Sequence, residues 1–315
     1  MATIFIRLVA VFLMIFMGVA ARRRKLLDSD TTRRLALLVT NLFYPALIYS
    51  TLVSTFSLSE LATHWMLPAG TLLIMLTGFA VGLPAAALLR FRDDRQKRAF
   101  HFQCTINNYV FLPMPLILIY WGNQGVGNLV LTTVGSELAV WTFGVIALTG
   151  HGFKLRSLKH LLSMPMAAIA AAAVTMCAAH AGVGAHLAGV PAELRDAVLS
   201  VLDIFGKATV PLAMMVAGSR MTELRPRHLF TVPQVGVIAL RLLLIPACAV
   251  ALLHLLPFPT DTRNVLIVVA VMPSAIASVM LSDIYNADSE FAASAVLTTH
   301  AVSLITIPVW LALAL

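Results

Sequence analysis

Two stretches of the chain interrupt apolar runs with residues suited to holding a small anion rather than to covalent chemistry. One is TINNYVFLPMPLI, Thr105 to Ile117, and the other is AVMPSAIASVML, Ala270 to Leu281. Pro113 and Pro115 lack amide protons and crowd the turn before them, so carbonyls near Phe111 and one turn earlier lose their helical partners. Asn107 and Asn108 stand beside the break and supply both donors and acceptors. A half-helix that begins after such a break aims unpaired amides and the positive end of its dipole into the gap, which makes an anion site without a lysine. In the second stretch Pro273 opens a half-helix, with Ser274 and Ser278 one turn apart on one face. Two such breaks facing each other form one central site. The plainer alternative is that the prolines kink two helices and the asparagines join them by hydrogen bonds. Breaks at matching places in both halves of the chain favour the site.

Among the ionisable residues inside apolar runs four stand out: Glu137, Asp203, Lys207 and Arg241. A charge is expensive at membrane depth, so each is a functional candidate. Asp203 and Lys207, spaced i and i+4, share a helix face and pair; the pair is either self-neutralised and structural or a gating element that tunes substrate charge. Glu137, in VGSELAVW, has no basic partner nearby on its own helix and is either a carrier of the coupled proton or a polar contact across the bundle. Arg241, in VIALRLLLIP, snorkels or meets a carboxylate and has no assigned role. The histidines show no metal-ligand spacing, and His300 alone stands well inside the last apolar run. Cys104, Cys177 and Cys248 each fall in an apolar run without CxxC spacing and read as packing residues. A Gly-rich phosphate loop, a nucleophile elbow and a catalytic carboxylate pair are all missing, so the sequence offers no catalytic residue, no metal site and no cofactor site, and an ATP-driven pump or a hydrolase lacks its parts.

The elements that must position these residues are membrane helices. At 315 residues, 60% hydrophobic and 11% charged, the chain has more apolar surface than one soluble core could cover. Its net charge of +8 gathers in short clusters between apolar runs, which signals topology rather than nucleic-acid binding. Ten runs of about 20 residues follow one another. They cover roughly 3–21, 35–55, 66–89, 99–121 and 127–150 in the first half. In the second half they cover roughly 162–184, 197–219, 229–256, 264–285 and 291–315. The first run precedes its basic cluster, so it reads as a retained helix and not a cleaved signal. Seventeen Lys and Arg lie in the loops that follow odd-numbered runs and three on the opposite side, which puts both termini outside the cytoplasm. The loop after the ninth run, SDIYNADSE, carries no positive charge. Five is an odd number, so residues 1–150 and 151–315, if they are repeats, are inverted relative to one another. Pro45 and Pro211 in the second and seventh runs, and Pro113, Pro115 and Pro273 in the fourth and ninth, mark corresponding positions. Interrupted helices in matching places of inverted repeats point to a secondary transporter's substrate site.

The Asn-rich stretch ending in Pro115 and Leu116, VPLAMMVAGSRM at 210–221, and MPSAIASVMLSDIYNADSEFAASAVLTTHAVSLITIP at 272–308 are the most specific parts of a resemblance covering essentially the whole chain. The sequence resembles the auxin efflux carrier family of bacterial permeases, relatives of the plant PIN-type auxin transporters. That resemblance implies an all-α fold of ten transmembrane helices in two inverted five-helix repeats, similar to the bile-acid/sodium symporter architecture. Helices 4 and 9 unwind and cross at the substrate site, and helices 1, 2, 6 and 7 form a scaffold. Asn108 and Pro115 match the family's crossover residues of helix 4, and Pro273 matches that of helix 9. Two departures stand out: Pro113 where relatives commonly carry glycine, and Glu137 where PIN-type relatives carry a neutral amide. The implied function is secondary active transport of a small organic anion, a mono- or dicarboxylate such as malonate or malate, coupled to H+ or Na+. The protein would work in the bacterial cytoplasmic membrane, in contact with the lipid bilayer and as a monomer or homodimer. A passive anion channel and a membrane sensor without transport are the alternatives.

Overall fold

The computed structural model describes residues 2–150, 163–180, 192–223 and 231–315, and every regular element within them is helical. The first half holds α1 (Ala2–Arg23), α2 (Ser29–Leu38), α3 (Tyr44–Thr55), α4 (Leu58–Thr63), α5 (Met66–Leu88), α6 (Asp94–Thr105), α7 (Pro113–Ala139) and α8 (Val145–Thr149). The second holds α9 (Met164–His180), α10 (Ala192–Glu223), α11 (Val232–Ala239), α12 (Ile245–Leu255), α13 (Thr260–Ala270), α14 (Ser278–Ile284) and α15 (Ser289–Ala314). Lys154, Arg156, Lys159, Arg225 and Arg227, part of the charge count above, lie outside the described residues.

Helix starts follow short polar residues at the loop ends. Asp93 caps α6 by accepting the Gln96 amide proton at 2.8 Å, and Asp288 caps α15 by accepting that of Phe291 at 2.9 Å. The Gln96 amide holds the exposed Asp93 carboxyl below the usual aspartate range. Single-turn π-helices join α2 to α3 (Val39–Phe43), α7 to α8 (Val140–Gly144) and α11 to α12 (Leu240–Leu244). The first and third sit directly before Pro45 and Pro246. A proline offers no N–H and pushes away the carbonyl four residues earlier, so the turn before it widens. Accordingly the Tyr44 amide donates to Val39 O and the Ile245 amide to Leu240 O, each five residues back. The Leu242 carbonyl that Pro246 leaves without a helical donor instead accepts from the Trp310 indole at 2.8 Å.

Among the described residues, six helical segments are long and apolar enough to cross a bilayer: Ser29–Thr55, Leu58–Leu88, Pro113–Thr149, Glu193–Thr222, Val232–Leu255 and Ser289–Ala314. Met164–His180 is a shorter apolar helix. The expected runs at 99–121 and 264–285 do not form continuous helices, because each is broken near its middle, over 106–112 and 271–277. The expected loop between the fourth and fifth runs is replaced by a sharp bend inside α7. Gly122 makes it at φ 59°, a left-handed conformation that a residue with a side chain rarely adopts.

The helices pack closely. α1 lies on α10 with Gly18 and Gly218 at the contact, where a Cβ would meet the backbone of Met215 and Ile15. Small residues let membrane helices approach in this way. α5 packs against both α6 and α7, and α3 against α9 and α10. Two buried apolar clusters result. One contains Leu52, Leu112, Leu129, Leu266 and Met272, and the other Phe100, Phe102, Ile106, Ala275 and Ala295. Both broken segments pass from one cluster into the other, so the breaks lie at the seam of the bundle.

Candidate functional site

The two breaks meet. Asn107 and Ser274 form an antiparallel bridge, the Asn108 amide donates to the Pro273 carbonyl at 2.8 Å, and the Ala275 amide donates to the Ile106 carbonyl at 3.3 Å. Pro273 needs no acceptor and gives only its carbonyl, which suits an extended segment paired on one edge. This corrects one expectation: Pro273 does not open the second half-helix. α14 begins at Ser278, so Ser274 belongs to the extended crossing and not to the same helix face as Ser278. A proline is as compatible with an extended segment as with a first helical turn, and composition could not separate them.

Pro113 does stand in the first turn of α7, with Pro115 two residues on. The expected cluster of free amides there is not present. Two of the first three positions are prolines without N–H, and the Met114 amide donates to Val110 O at 3.1 Å. The Leu112 amide is taken by Asn108 Oδ1 at 3.4 Å. The polar character of the crossing therefore comes from side chains and from the opposite ends of the half-helices.

Those opposite ends are the C-termini of α6 and α13, where the cap amides reach back only to Phe102 and Ile267 and the carbonyls beyond them need other donors. The Phe102 carbonyl accepts from the Ile106 amide at 2.9 Å, and the Gln103 carbonyl accepts from Ser274 Oγ at 3.3 Å. The Ile267 carbonyl accepts from the Val271 amide at 3.2 Å, and Asn107 Nδ2 donates to the Val269 carbonyl. The Cys104 and Ala270 carbonyls both go to one side chain. Arg241 Nη1 donates to Cys104 O at 3.1 Å and Nη2 to Ala270 O at 2.9 Å, with the arginine fully buried.

The remaining polar groups tie the crossing to α15 and α14. His300 Nδ1 lies 2.8 Å from the Val296 carbonyl, which only accepts, so Nδ1 carries the proton and Nε2 accepts from Asn108 Nδ2 at 3.2 Å. Thr299 Oγ1 accepts the Ser274 amide at 3.4 Å, and Gln103 Nε2 donates to Ser278 Oγ at 2.9 Å. Asn107, Asn108, Pro113, Pro115, Ser274 and Ser278 are all buried. Asn107 Oδ1 is buried with no hydrogen-bond partner among the described residues.

Glu137 is half-buried at the edge of this constellation. Tyr109, in the first break, donates to its Oε1 at 3.0 Å, and the Trp141 indole donates to its Oε2 at 3.0 Å. The carboxylate thus tethers the crossing loop to the far half of α7. Asp203 and Lys207 do pair, on an exposed face of α10, and none of their polar contacts reaches the crossing. A cavity of about 310 Å³ opens elsewhere, between α3, α9 and α10; Tyr49, Thr175 and Val198 line it, and it shares no residue with the crossing.

Sequence reasoning left Arg241 and His300 without roles and did not single out Gln103 or Thr299. Arg241 carried a usable signal, a cation in an apolar run five residues before a proline. Gln103 and Thr299 carried none, because a lone polar residue in a membrane helix is common.

A family model described as "Membrane transport protein" matches residues 3–176 and 182–311. The chain is 25% identical over 305 residues to a protein named as an uncharacterized transporter in Methanocaldococcus jannaschii, covering 95% of each chain. It is 24% identical over 305 residues to another in Methanothermobacter thermautotrophicus, covering 96% of this chain and 95% of that one. A family match over nearly the whole length, on a bundle of long apolar helices, means that the chain belongs to the Membrane transport protein family and is a multi-pass membrane transporter, not an enzyme.

Proposed function

We propose that the protein is a secondary transporter of the auxin efflux carrier type that moves a small organic anion, a mono- or dicarboxylate such as malonate or malate, through the crossing of its two interrupted helices. The observation that carries this reading is the backbone pairing of residues 106–108 with 273–275, buried at the seam between two apolar clusters. Irregular backbone at membrane depth is tolerated where protein or a watery cavity satisfies it, and carriers use such places as substrate sites. In the described state the paired residues 106–108 and 273–275 are all buried. Substrate entry then requires one side of the bundle to move against the other, as in alternating access.

Asn108 Nδ2 exchanges its long bond to His300 for a substrate carboxylate, and the unpartnered Asn107 Oδ1 accepts from a substrate hydroxyl or acid proton. Glu137 carries a coupled proton and reports it to the crossing through Tyr109. The ten-segment arrangement of two inverted repeats, 1–150 and 151–315, adds α1, α9 and the two broken segments to the six continuous spans. The proposed membrane is the cytoplasmic one, with both termini outside. The outward-facing Asp203–Lys207 pair on α10 supports association of two copies, since an ion pair turned toward lipid is costly.

Uptake in proteoliposomes tests the reading. A panel of mono- and dicarboxylates, under an imposed pH or sodium gradient, is expected to yield at least one transported substrate whose flux falls in Asn108→Ala. Absence of flux across the panel, or flux indifferent to Asn108→Ala, contradicts it.

A further inference from the structure

Arg241 is the largest of the fully buried side chains, yet among the described residues no carboxylate forms an ion pair with it. A buried cation without compensation costs several kcal/mol even after relaxation. Its compensation here is the backbone. α6 ends at Thr105 and α13 at Ala270, and each helix C-terminus carries about half a negative charge. Two such ends converge on one guanidinium, which bonds a carbonyl of each, Cys104 O and Ala270 O. The π-turn Leu240–Leu244, imposed by Pro246, holds Arg241 at that point. Gly78 of α5 leaves room for the end of α6, since a Cβ there would meet the Cys104 and Thr105 carbonyls.

Carbonyls at half-helix C-terminal ends are the groups with which interrupted-helix carriers coordinate an inorganic cation. We propose that Arg241 is a resident cation of the crossing, a positioning residue that occupies this role permanently and makes transport independent of sodium. The inference rests on the transporter reading above for its word "transport", but its chemistry concerns the crossing alone. A guanidinium keeps its charge throughout the working pH range and cannot leave its tether. The half-helix ends are therefore neutralised in every state of the cycle, and no metal ion has to enter or leave with the substrate.

Two readouts on the purified full chain test this: melting temperature in detergent and carboxylate counterflow in proteoliposomes. Wild-type protein is expected to show the same melting temperature and flux when sodium chloride is replaced by choline chloride at equal ionic strength. Arg241→Ala and Arg241→Gln are both expected to melt lower and to lose at least about tenfold in flux, and Arg241→Lys to keep most of it. Millimolar guanidinium chloride is expected to raise the melting temperature and flux of Arg241→Ala, and to do neither in wild type or in Asn108→Ala. A purely structural arginine would be replaced nearly as well by Gln and would give no guanidinium response.

A saturable rise of wild-type stability or flux with sodium overturns the inference, as does an Arg241→Ala protein unchanged in both readouts. If the alanine variant does not fold, the wild-type sodium comparison and Arg241→Lys still decide. If wild type moves no carboxylate, the transport reading fails while the sodium and guanidinium melting curves continue to test the resident cation.

Discussion

Asn107 and Asn108 are neighbours at the crossing with different partners, and their substitutions separate fold from transport. Asn107 spends its donor on the Val269 carbonyl and leaves its acceptor free, so Asn107→Ala removes one hydrogen bond at the end of α13 while the Met272 amide still donates to that carbonyl at 3.3 Å. The expected cost is about 0.5–1.5 kcal/mol, read as a lowered melting temperature in detergent. Glu137 accepts from both a phenol and an indole, and Glu137→Gln keeps one acceptor but turns an N–H group toward the other donor. If Glu137 carries the coupled proton, flux in Glu137→Gln loses its pH dependence; an unchanged pH profile removes that role. The asparagines were legible in the sequence because two amides in an apolar run need partners. The position of Pro273 was not, because what decides between a helix start and an extended segment is the partner strand, and residues 106–108 lie far away in the chain.

At the scale of elements, prolines set where helices break and also where they merely widen. Pro113 and Pro115 end the continuity of one helix, whereas Pro45 and Pro246 each produce a single π-turn and the helix goes on. The difference lies in what accepts the freed groups. At Pro246 the Trp310 indole meets the Leu242 carbonyl, while at the crossing a second broken helix supplies donors. Proline positions show where a helix is disturbed but not what accepts the freed groups, which is why the breaks were expected and the π-turn that aims Arg241 was not. Gly78 gives the element-level test. Gly78→Ala forces α5 away from the end of α6, with an expected loss of about 1–3 kcal/mol and a matching fall in melting temperature. An unchanged melting temperature would mean that α6 is not held against α5 as described.

For the molecule as a whole, composition made the membrane class legible, since the apolar share leaves no other solvent for these helices. The number of continuous spans was harder to read, because hydropathy averages over a break and cannot see that α6 and α13 stop midway. Orientation rests on the Lys and Arg asymmetry and is open to labelling. In a cysteine-free background Lys25→Cys, in the loop after α1, is expected to react with an impermeant thiol reagent only from the cytoplasmic side. Asp261→Cys, at the start of α13, is expected to react only from outside; the reverse pattern contradicts the assigned topology. The central claim, that the crossing is a carrier's substrate site, is tested most directly by counterflow. Proteoliposomes loaded with unlabelled carboxylate are expected to accumulate labelled carboxylate transiently with wild-type protein and much less with Asn108→Ala. Simple equilibration without overshoot, or an overshoot of equal size in Asn108→Ala, would contradict it.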